Sequence, residues 1–211
     1  RLPDDIDRVE RQLAGDFFCA PFGGHEGLPI HGWTANGSWV PKTTEQITDD
    51  DGSESIPGKT KAITQATYVL EQPVFGAQVT KRFTLVADHP FLYQSHRFSG
   101  GAGSLPIAHH AMVHVPGGAR LSFSKKQFGA TPTSPLETDP ARGHSALSYP
   151  QRFPDLRSTL LADGTTADAG RYPFCHGHGH EDMVVLAEEN ATTIGWSAAL
   201  ARQDGFLFFA I

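Results

Sequence analysis

The segment Asp16–Trp33 combines aromatic rings, glycines, two acids and two histidines, His25 and His31. This mixture suits a sugar, because aromatic rings stack on the C–H faces of sugars while the hydroxyls need charged or amide partners. Trp33, directly after a His-Gly pair, is the best candidate to stack on a sugar. Phe22 is a second candidate for the wall of the sugar pocket. The alternative is a packed loop whose histidines hydrogen-bond the backbone. The density of the cluster favours the sugar site.

Three more histidines, His109, His110 and His114, fall within one short extended segment. Side chains alternate along a strand, so His109 points to one face and the other two point to the opposite face. The neighbours of His109 on its face are small or β-branched, which predicts a core position. We therefore predict that His110 faces a cleft. A hydrogen-bonded structural histidine is an equally good interpretation of either residue.

A third group, His176, His178 and His180, could share a metal ion, because alternate side chains of an extended segment point to one side and zinc favours imidazole. The intervening Gly177 and Gly179 weaken a strand and favour a solvated loop. We expect a loop that binds metal only opportunistically, and hence no native metal site and no cofactor.

The composition limits the possible partners. The chain has 211 residues, of which 39% are hydrophobic, and this is enough for a packed core. The net charge is −6, and Lys125 and Lys126 form only an isolated basic pair. Nucleic acid is not an expected partner, because phosphate binding needs a basic surface. No run of about 18 apolar residues occurs, so no membrane span is expected.

The two cysteines, Cys19 and Cys175, are fewer than a secreted disulfide scaffold usually carries. We expect two reduced, buried thiols, and a single disulfide between Cys19 and Cys175 is the alternative. The low cysteine count, together with a polar N-terminus that shows no signal peptide, predicts a cytoplasmic protein. The chain lacks an initial Met and ends on a predicted strand, which favours a fragment truncated at its C-terminal end.

The elements that must position these residues are strands. The 22 glycines and 15 prolines punctuate short β-branched and aromatic runs, as in all-β proteins. We predict one domain over residues 1–211, a helix only at Asp4–Leu13, an exposed loop at Thr43–Lys59 and a mobile segment at Thr131–Ser145. Strands are predicted at Ala66–Leu70, Gln78–Val86, Phe91–Phe98, Ile107–Val115, Arg120–Ser124, Met183–Ala187, Thr192–Leu200 and Gly205–Ile211.

Two neighbouring segments, Phe17–Gly23 and Leu28–Trp33, resemble the aldose 1-epimerase or galactose mutarotase-like superfamily, nearest its hexose-6-phosphate epimerase-like branch. That branch has a proline-aromatic-glycine segment followed by a histidine-glycine-aromatic one. The run Val79–Leu85 is similar to the family strand with basic residues before an aromatic, and His109 and His110 follow a loop as the family histidine does. The resemblance covers the chain up to about residue 125.

The resemblance implies a mostly antiparallel β-supersandwich that binds a sugar or a sugar phosphate. In such enzymes a carboxylate takes the proton of the anomeric hydroxyl and a histidine protonates the ring oxygen, a task that suits the pKa of imidazole. The ring opens and closes on its other face. By position, His31 would bind substrate or act as the acid, and His110 or His109 would be the second histidine. The candidate substrate-binding residues are Phe22, His25, Trp33, Asn36 and Arg82.

The sequence departs from the family at two places. The arginine that usually follows the histidine-glycine pair is replaced by the run Trp33–Asn36, and the family's base glutamate lies beyond a strand like Phe206–Ile211, where this chain ends. Neither Glu26 nor Glu181 matches a motif for the base. An epimerase and a catalytically silent carbohydrate-binding domain therefore both stand, with a cupin-like metal enzyme as a weaker third hypothesis. A carboxylate within hydrogen-bond reach of a sugar held between His31 and His110 would favour the enzyme.

The run His176–His180 gives a first testable prediction. A structural zinc site contributes folding free energy, so its loss lowers the melting temperature. We expect EDTA to leave the melting temperature unchanged, and a variant with all three histidines replaced by alanine to melt as the wild type does. A large fall in melting temperature with EDTA, absent from the triple variant, would contradict the prediction.

Overall fold

The computed structural model describes residues 7–48, 62–138, 144–174, 181–190 and 194–211. The chain forms two compact units, Arg1–Met112 and Val113–Ile211. The prediction of a single domain over residues 1–211 stays a prediction. Within the described part of the chain, no helix has the length and apolar character needed to cross a membrane.

The first unit is built on a four-stranded antiparallel sheet in the order β2-β3-β4-β5. Its strands are β2 (Trp39–Thr48), β3 (Ala62–Leu70), β4 (Ala77–Val86) and β5 (Leu92–Gly100). Along β4, Val79 is fully buried while Arg82 is exposed, as the predicted alternation of apolar and polar residues requires. The register between β2 and β3 shifts at Pro41 and Thr43, which marks a bulge in this edge strand.

A second, two-stranded sheet of this unit pairs β1 (Asp16–Cys19) with β6 (Ala108–Ala111). Two short helices accompany it, α1 (Arg8–Arg11) and α2 (Gly32–Asn36). The buried core joins β1 to the larger sheet through Phe18, Ala20, Leu70, Val74 and Val79, and Trp33, Trp39, Phe98 and Leu105 pack against it. Burial of each large side chain contributes about 1.5–3 kcal/mol, so this core fixes β1 relative to β4 and β5.

The second unit consists of shorter antiparallel strands. One sheet has the order β12-β7-β14-β15 and another has the order β13-β8-β9, while β10 and β11 form a separate hairpin. The elements are β7 (Ala119–Phe123), β8 (Lys126–Ala130), β9 (Arg152–Phe153), a 3₁₀ turn (Leu156–Ser158), β10 (Thr159–Leu160), β11 (Thr166–Ala167), β12 (Arg171–Tyr172), β13 (Val185–Glu188), β14 (Ser197–Ala201) and β15 (Phe206–Ala210).

The predicted all-β, mostly antiparallel class is confirmed, whereas the supersandwich arrangement stays a prediction. The helix expected at Asp4–Leu13 is limited to α1 among the described residues. The loop expected at Thr43–Lys59 is wrong over Thr43–Thr48, which belong to β2. Thr43–Ile47 are exposed on an edge strand, and a solvated strand carries the same polar residues as a loop.

Several expectations fall outside the described residues. They concern Cys175, the histidine run His176–His180, and most of the acidic stretch between β2 and β3. The other cysteine, Cys19, is fully buried, and burial together with the nearby Asp16 carboxylate raises the pKa of its thiol to about 11. Cys19 is therefore a protonated thiol at neutral pH, as expected for a buried cysteine.

The glycine that begins α2 gives a second prediction. Gly32 and Gly27 both have φ near +70°. A methyl group on Gly32 would overlap the carbonyl of Ala20, whereas a methyl group on Gly27 would have no described atom within 4 Å apart from its chain neighbours. Gly27→Ala should cost about 1–2 kcal/mol of the free energy of unfolding, from backbone strain alone. Gly32→Ala should cost about 1–3 kcal/mol more because of the overlap. Urea titrations that give equal losses would contradict this.

Candidate functional site

The pairing of β1 with β6 places the two adjacent histidines on opposite faces of a two-stranded ribbon. Phe17 lies opposite His110, and Phe18 lies opposite His109. Because side chains alternate along each strand, Phe17 and His110 share one face, while Phe18 and His109 share the other. Each face carries a separate group of polar and aromatic side chains.

On the first face, four rings make contact, and we call them the histidine–phenylalanine cluster: Phe17, Phe22, His31 and His110. The ring of His110 stacks on Phe17, with centroids 4.6 Å apart and an interplanar angle of 15°. His31 meets His110 edge-on at 5.4 Å and lies 5.1 Å from Phe22. Phe22 is 37% exposed, so the cluster is open to solvent on that side. The structure thus brings together three of the residues that the sequence singled out.

His31 is fixed in place by its own loop. Its Nδ1 accepts a hydrogen bond from the backbone N–H of Gly23 at 3.1 Å, and its own N–H donates to the Gly23 carbonyl. A ring nitrogen that accepts cannot also carry the proton, so neutral His31 is protonated on Nε2. Burial, and secondly repulsion from His110, lower the pKa of His31, although Glu10 opposes this. His31 therefore presents a neutral N–H donor at physiological pH.

Two of the predicted substrate-binding residues have structural contacts instead. The side chain of Asn36 is buried, where its Oδ1 accepts from Val9 N–H and its Nδ2 donates to the carbonyls of Ile30 and Gly32. These three bonds join α1 to the loop before α2. Trp33 packs against the core of the first unit. The contact of Asn36 and Trp33 with a sugar stays a prediction. The observed contacts of both side chains are with the protein itself and do not support it.

The other two lie apart from the four clustered rings. His25 is exposed, with its ring edge-on to Phe75 at 5.1 Å and its Nδ1 donating to the Glu26 carbonyl. Arg82 is exposed on the face of β4 opposite to Lys81. Of the predicted substrate-binding residues, Phe22 is therefore the one that the structure places beside the candidate catalytic histidines.

On the second face, His109 forms an imidazole–carboxylate pair with Asp16, with Nδ1 and Oδ2 2.9 Å apart. The Nε2 of Gln94 donates to the same oxygen at 2.7 Å. The ring of His109 also lies 5.3 Å from the rings of Phe18 and His96. The expected core position of His109 is wrong, because its side chain is 43% exposed. Asp16 lies on an exposed part of the ribbon, and the hydrogen bond to Asp16 holds the ring of His109 there as well.

Two basic side chains on the sheet lie next to this pair. His96 stacks on Phe18 with centroids 3.8 Å apart, and its buried Nε2 has no hydrogen-bond partner. Burial lowers the pKa of His96 to about 4, helped by repulsion from His109 and Lys81. Lys81 lies opposite His96 in the β4–β5 pairing, and its ammonium is 4.1 Å from the centroid of the Trp39 ring. Burial lowers the pKa of Lys81 as well.

These side chains line a cavity of about 270 Å³, which we call the Lys81 cleft. The residues that matter for its chemistry are Arg8, Asp16, Trp39, Lys81, Gln94 and His96. The sequence analysis did not find it, although one signal was present: Lys81 shares its strand parity with Val79 and Phe83, so a charged residue lies on an otherwise apolar face.

The second unit has its own cavity, of about 510 Å³. The cationic side chains on its wall are largely paired with carboxylates, as in Arg120 with Asp168 at 2.6 Å and Lys126 with Glu188. Its charges are therefore already balanced within the protein. Among the described residues, no group of three or more His, Cys, Asp or Glu side chains is arranged to hold a metal ion.

Comparison of the chain with protein-family models, curated proteins and solved structures gives no match.

The buried ring of His96 gives a third prediction. Its pKa is about 4 in the folded protein against an ordinary 6.5, so between these pH values the unfolded chain binds more protons. The free energy of unfolding should fall as pH drops from about 6.5 to about 4. The loss due to His96 should be about 1–2 kcal/mol, after allowance for partial solvent screening.

His96→Phe keeps the stack on Phe18 and removes the titrating group, so it should flatten this dependence. Urea titrations at pH 7 and pH 4.5, followed by tryptophan fluorescence, to which Trp33 and Trp39 of the first unit contribute, measure it. His114→Gln, which changes an exposed histidine of the second unit, should leave the dependence as in the wild type. An equal loss of stability in wild type and His96→Phe would refute the assignment.

Proposed function

We propose that this protein is a carbohydrate-binding, aldose 1-epimerase-like isomerase that interconverts sugar anomers by acid–base ring opening at the histidine–phenylalanine cluster. The observation that carries the proposal is the edge-on contact of His31 and His110 at 5.4 Å, with phenylalanine rings beside both. Two imidazoles can then reach two oxygens of one sugar while an aromatic ring covers its C–H face. The proposal includes the supersandwich fold and the cytoplasmic location expected from the sequence.

The two histidines take different roles. Because Gly23 N–H already donates to Nδ1 of His31, a second proton on that ring would lose this hydrogen bond. His31 is therefore the substrate-binding histidine, which donates from Nε2–H to a sugar oxygen. His110 carries no such constraint among its described contacts, and it is the proposed general acid.

The proposed reaction is balanced without a further reagent. Protonated His110 gives its proton to the ring oxygen as the bond from that oxygen to the anomeric carbon breaks, and the anomeric hydroxyl loses its proton to solvent water. The open-chain aldehyde rotates about its bond to the next carbon. The hydroxyl formed from the former ring oxygen then adds to the other face of the carbonyl and returns its proton to His110. The former carbonyl oxygen takes a proton from water and becomes the new anomeric hydroxyl. Such proton transfer contributes about 10²–10⁴-fold to a rate.

A second candidate function is a catalytically silent carbohydrate-binding domain. The carboxylate of β1, Asp16, is the observation that favours it. Its Oδ2 accepts hydrogen bonds from His109 and Gln94 on the face of the ribbon opposite to His110. Asp16 is therefore engaged away from the cluster and cannot serve there as the base. Aromatic rings and imidazoles without a carboxylate base would hold a sugar and leave its anomers unchanged.

A paired substitution tests the proposal. Exchange between the two anomers of free glucose and of free galactose is followed by NMR, with buffer alone as the reference rate. His110→Ala should lower kcat by about 10²–10⁴-fold with little change in KM, because a general acid acts mainly in the transition state. His109→Ala is the matched control, one residue away on the other face, and should retain most of the turnover.

Phe22→Ala should instead raise KM and leave kcat nearly intact, since stacking holds substrate and transition state about equally. Thermal melts establish that each variant is folded. Wild-type turnover in His110→Ala would exclude this residue as the acid. Sugar binding by the wild type without any acceleration of anomer exchange would identify the silent binding domain instead.

A further inference from the structure

The Lys81 cleft contains a cation that has no anionic partner among the described residues. Within the described part of the chain, no ion pair joins Lys81 to a carboxylate, whereas Lys125 and Lys126 each have one. The Lys81 ammonium lies instead over the ring of Trp39 at 4.1 Å and near that of Phe83 at 5.3 Å. An aromatic face attracts a cation but does not neutralise it. The charge therefore stays available to an anion that enters the cleft.

The only carboxylate on the wall of the described cleft is turned toward other partners. Oδ2 of Asp16 accepts from Gln94 and from His109, so this carboxylate oxygen is already engaged by two other side chains of the first unit. The ring of His96 has no charge at neutral pH, since its pKa is about 4. With Arg8 and Lys81 protonated and Asp16 ionised, the wall carries one net positive charge.

A polar atom without a partner lies in the same place. The Nε2 of His96 is buried and makes no hydrogen bond, although most buried polar atoms of folded proteins have one. His96 lies directly opposite Lys81 across the β4–β5 pair. Lys81 and His96 are thus a cross-strand pair of residues on the wall of one cavity, and the unpaired Nε2 of His96 is itself buried. The Lys81 ammonium can pair with an oxygen that carries negative charge, whereas neutral His96 supplies a donor only in the tautomer with its proton on Nε2.

We propose that the Lys81 cleft binds the carboxylate of a small monoanionic organic acid, with Lys81 as its ion-pair partner. A volume of about 270 Å³ lies near the lower end of the range for small-molecule sites, about 300–1,000 Å³, and suits a ligand of monosaccharide size. One net positive charge matches one carboxylate better than a doubly charged phosphate. Trp39 and Phe83, which also line the cleft, contact the carbon skeleton. This binding is separate from the proposed epimerase reaction, since Lys81 and His96 take no part in that reaction.

Potassium gluconate is the probe, and calorimetric titration of the whole chain is the measurement. Lys81→Met keeps the length of the side chain over Trp39 but removes the charge, and it should weaken gluconate binding by at least about tenfold. Lys81→Arg should retain most of the affinity. Arg97→Met is the matched control, because Arg97 is an exposed cation next to His96 in sequence, on the opposite face of β5. Its affinity should equal that of the wild type.

A measurement on the wild-type sequence keeps the test decisive if Lys81→Met does not fold. Lysines are reductively methylated with ¹³C, and the signal of Lys81, assigned through Lys81→Arg, should shift on addition of gluconate but not of glucose. Equal gluconate affinity in wild type and Lys81→Met, an unmoved Lys81 signal, or inorganic phosphate binding more tightly than gluconate would each overturn the proposal.

Discussion

The antiparallel pairing of β1 with β6 is the constraint on which both groups of functional side chains depend. In the observed register Phe17 is opposite His110 and Phe18 is opposite His109, so one ribbon supplies a stacked pair to each face. A slip of one strand by one residue would change which side chains face each other and would break the Asp16–His109 hydrogen bond. The contacts on the two faces therefore select the same register, and each face stabilises the geometry of the other.

Burial lowers the pKa of two imidazoles of the first unit, His31 and His96, with different consequences for each. His31 keeps a hydrogen bond to its ring nitrogen, so burial leaves a well-oriented neutral donor that faces the other rings of its cluster. His96 keeps none on Nε2, so burial leaves a neutral base beside the Lys81 ammonium. A protonated His96 would repel that ammonium. Its low pKa thus lets a cation remain on the same wall.

The sequence predicts the strands best where one face is buried. The alternation of Val79, Lys81 and Phe83 with polar residues indicates β4, and the observed strand differs from the prediction by one residue at its start. Solvated elements are harder to predict, because Thr43–Thr48 carries no apolar face and has the composition of a loop. The helix α2 is only five residues long, too short for a helical periodicity to be recognised.

The candidate site was predictable where neighbours in sequence are neighbours in space. The motif around His31 pointed to the loop that contains Phe22, and strand alternation separated His110 from His109. The same alternation does not say which face is solvated, so His109 was expected in the core. The contact of Asp16 with Gln94 joins residues 78 positions apart, and it depends on a strand register that no local pattern encodes. The parity of Lys81 marks one wall of the Lys81 cleft, but the residues that face it come from distant parts of the chain.

The bulge of β2 has a consequence for how copies of this protein behave toward one another. β2 is the outermost strand of its sheet, and an unpaired strand edge can add a strand from another molecule. Pro41 has no backbone N–H to offer such a strand, and the register shift beside it interrupts the regular spacing of the donors and acceptors that follow. The sheet can therefore end in a long, solvated strand without becoming a template for edge-to-edge aggregation.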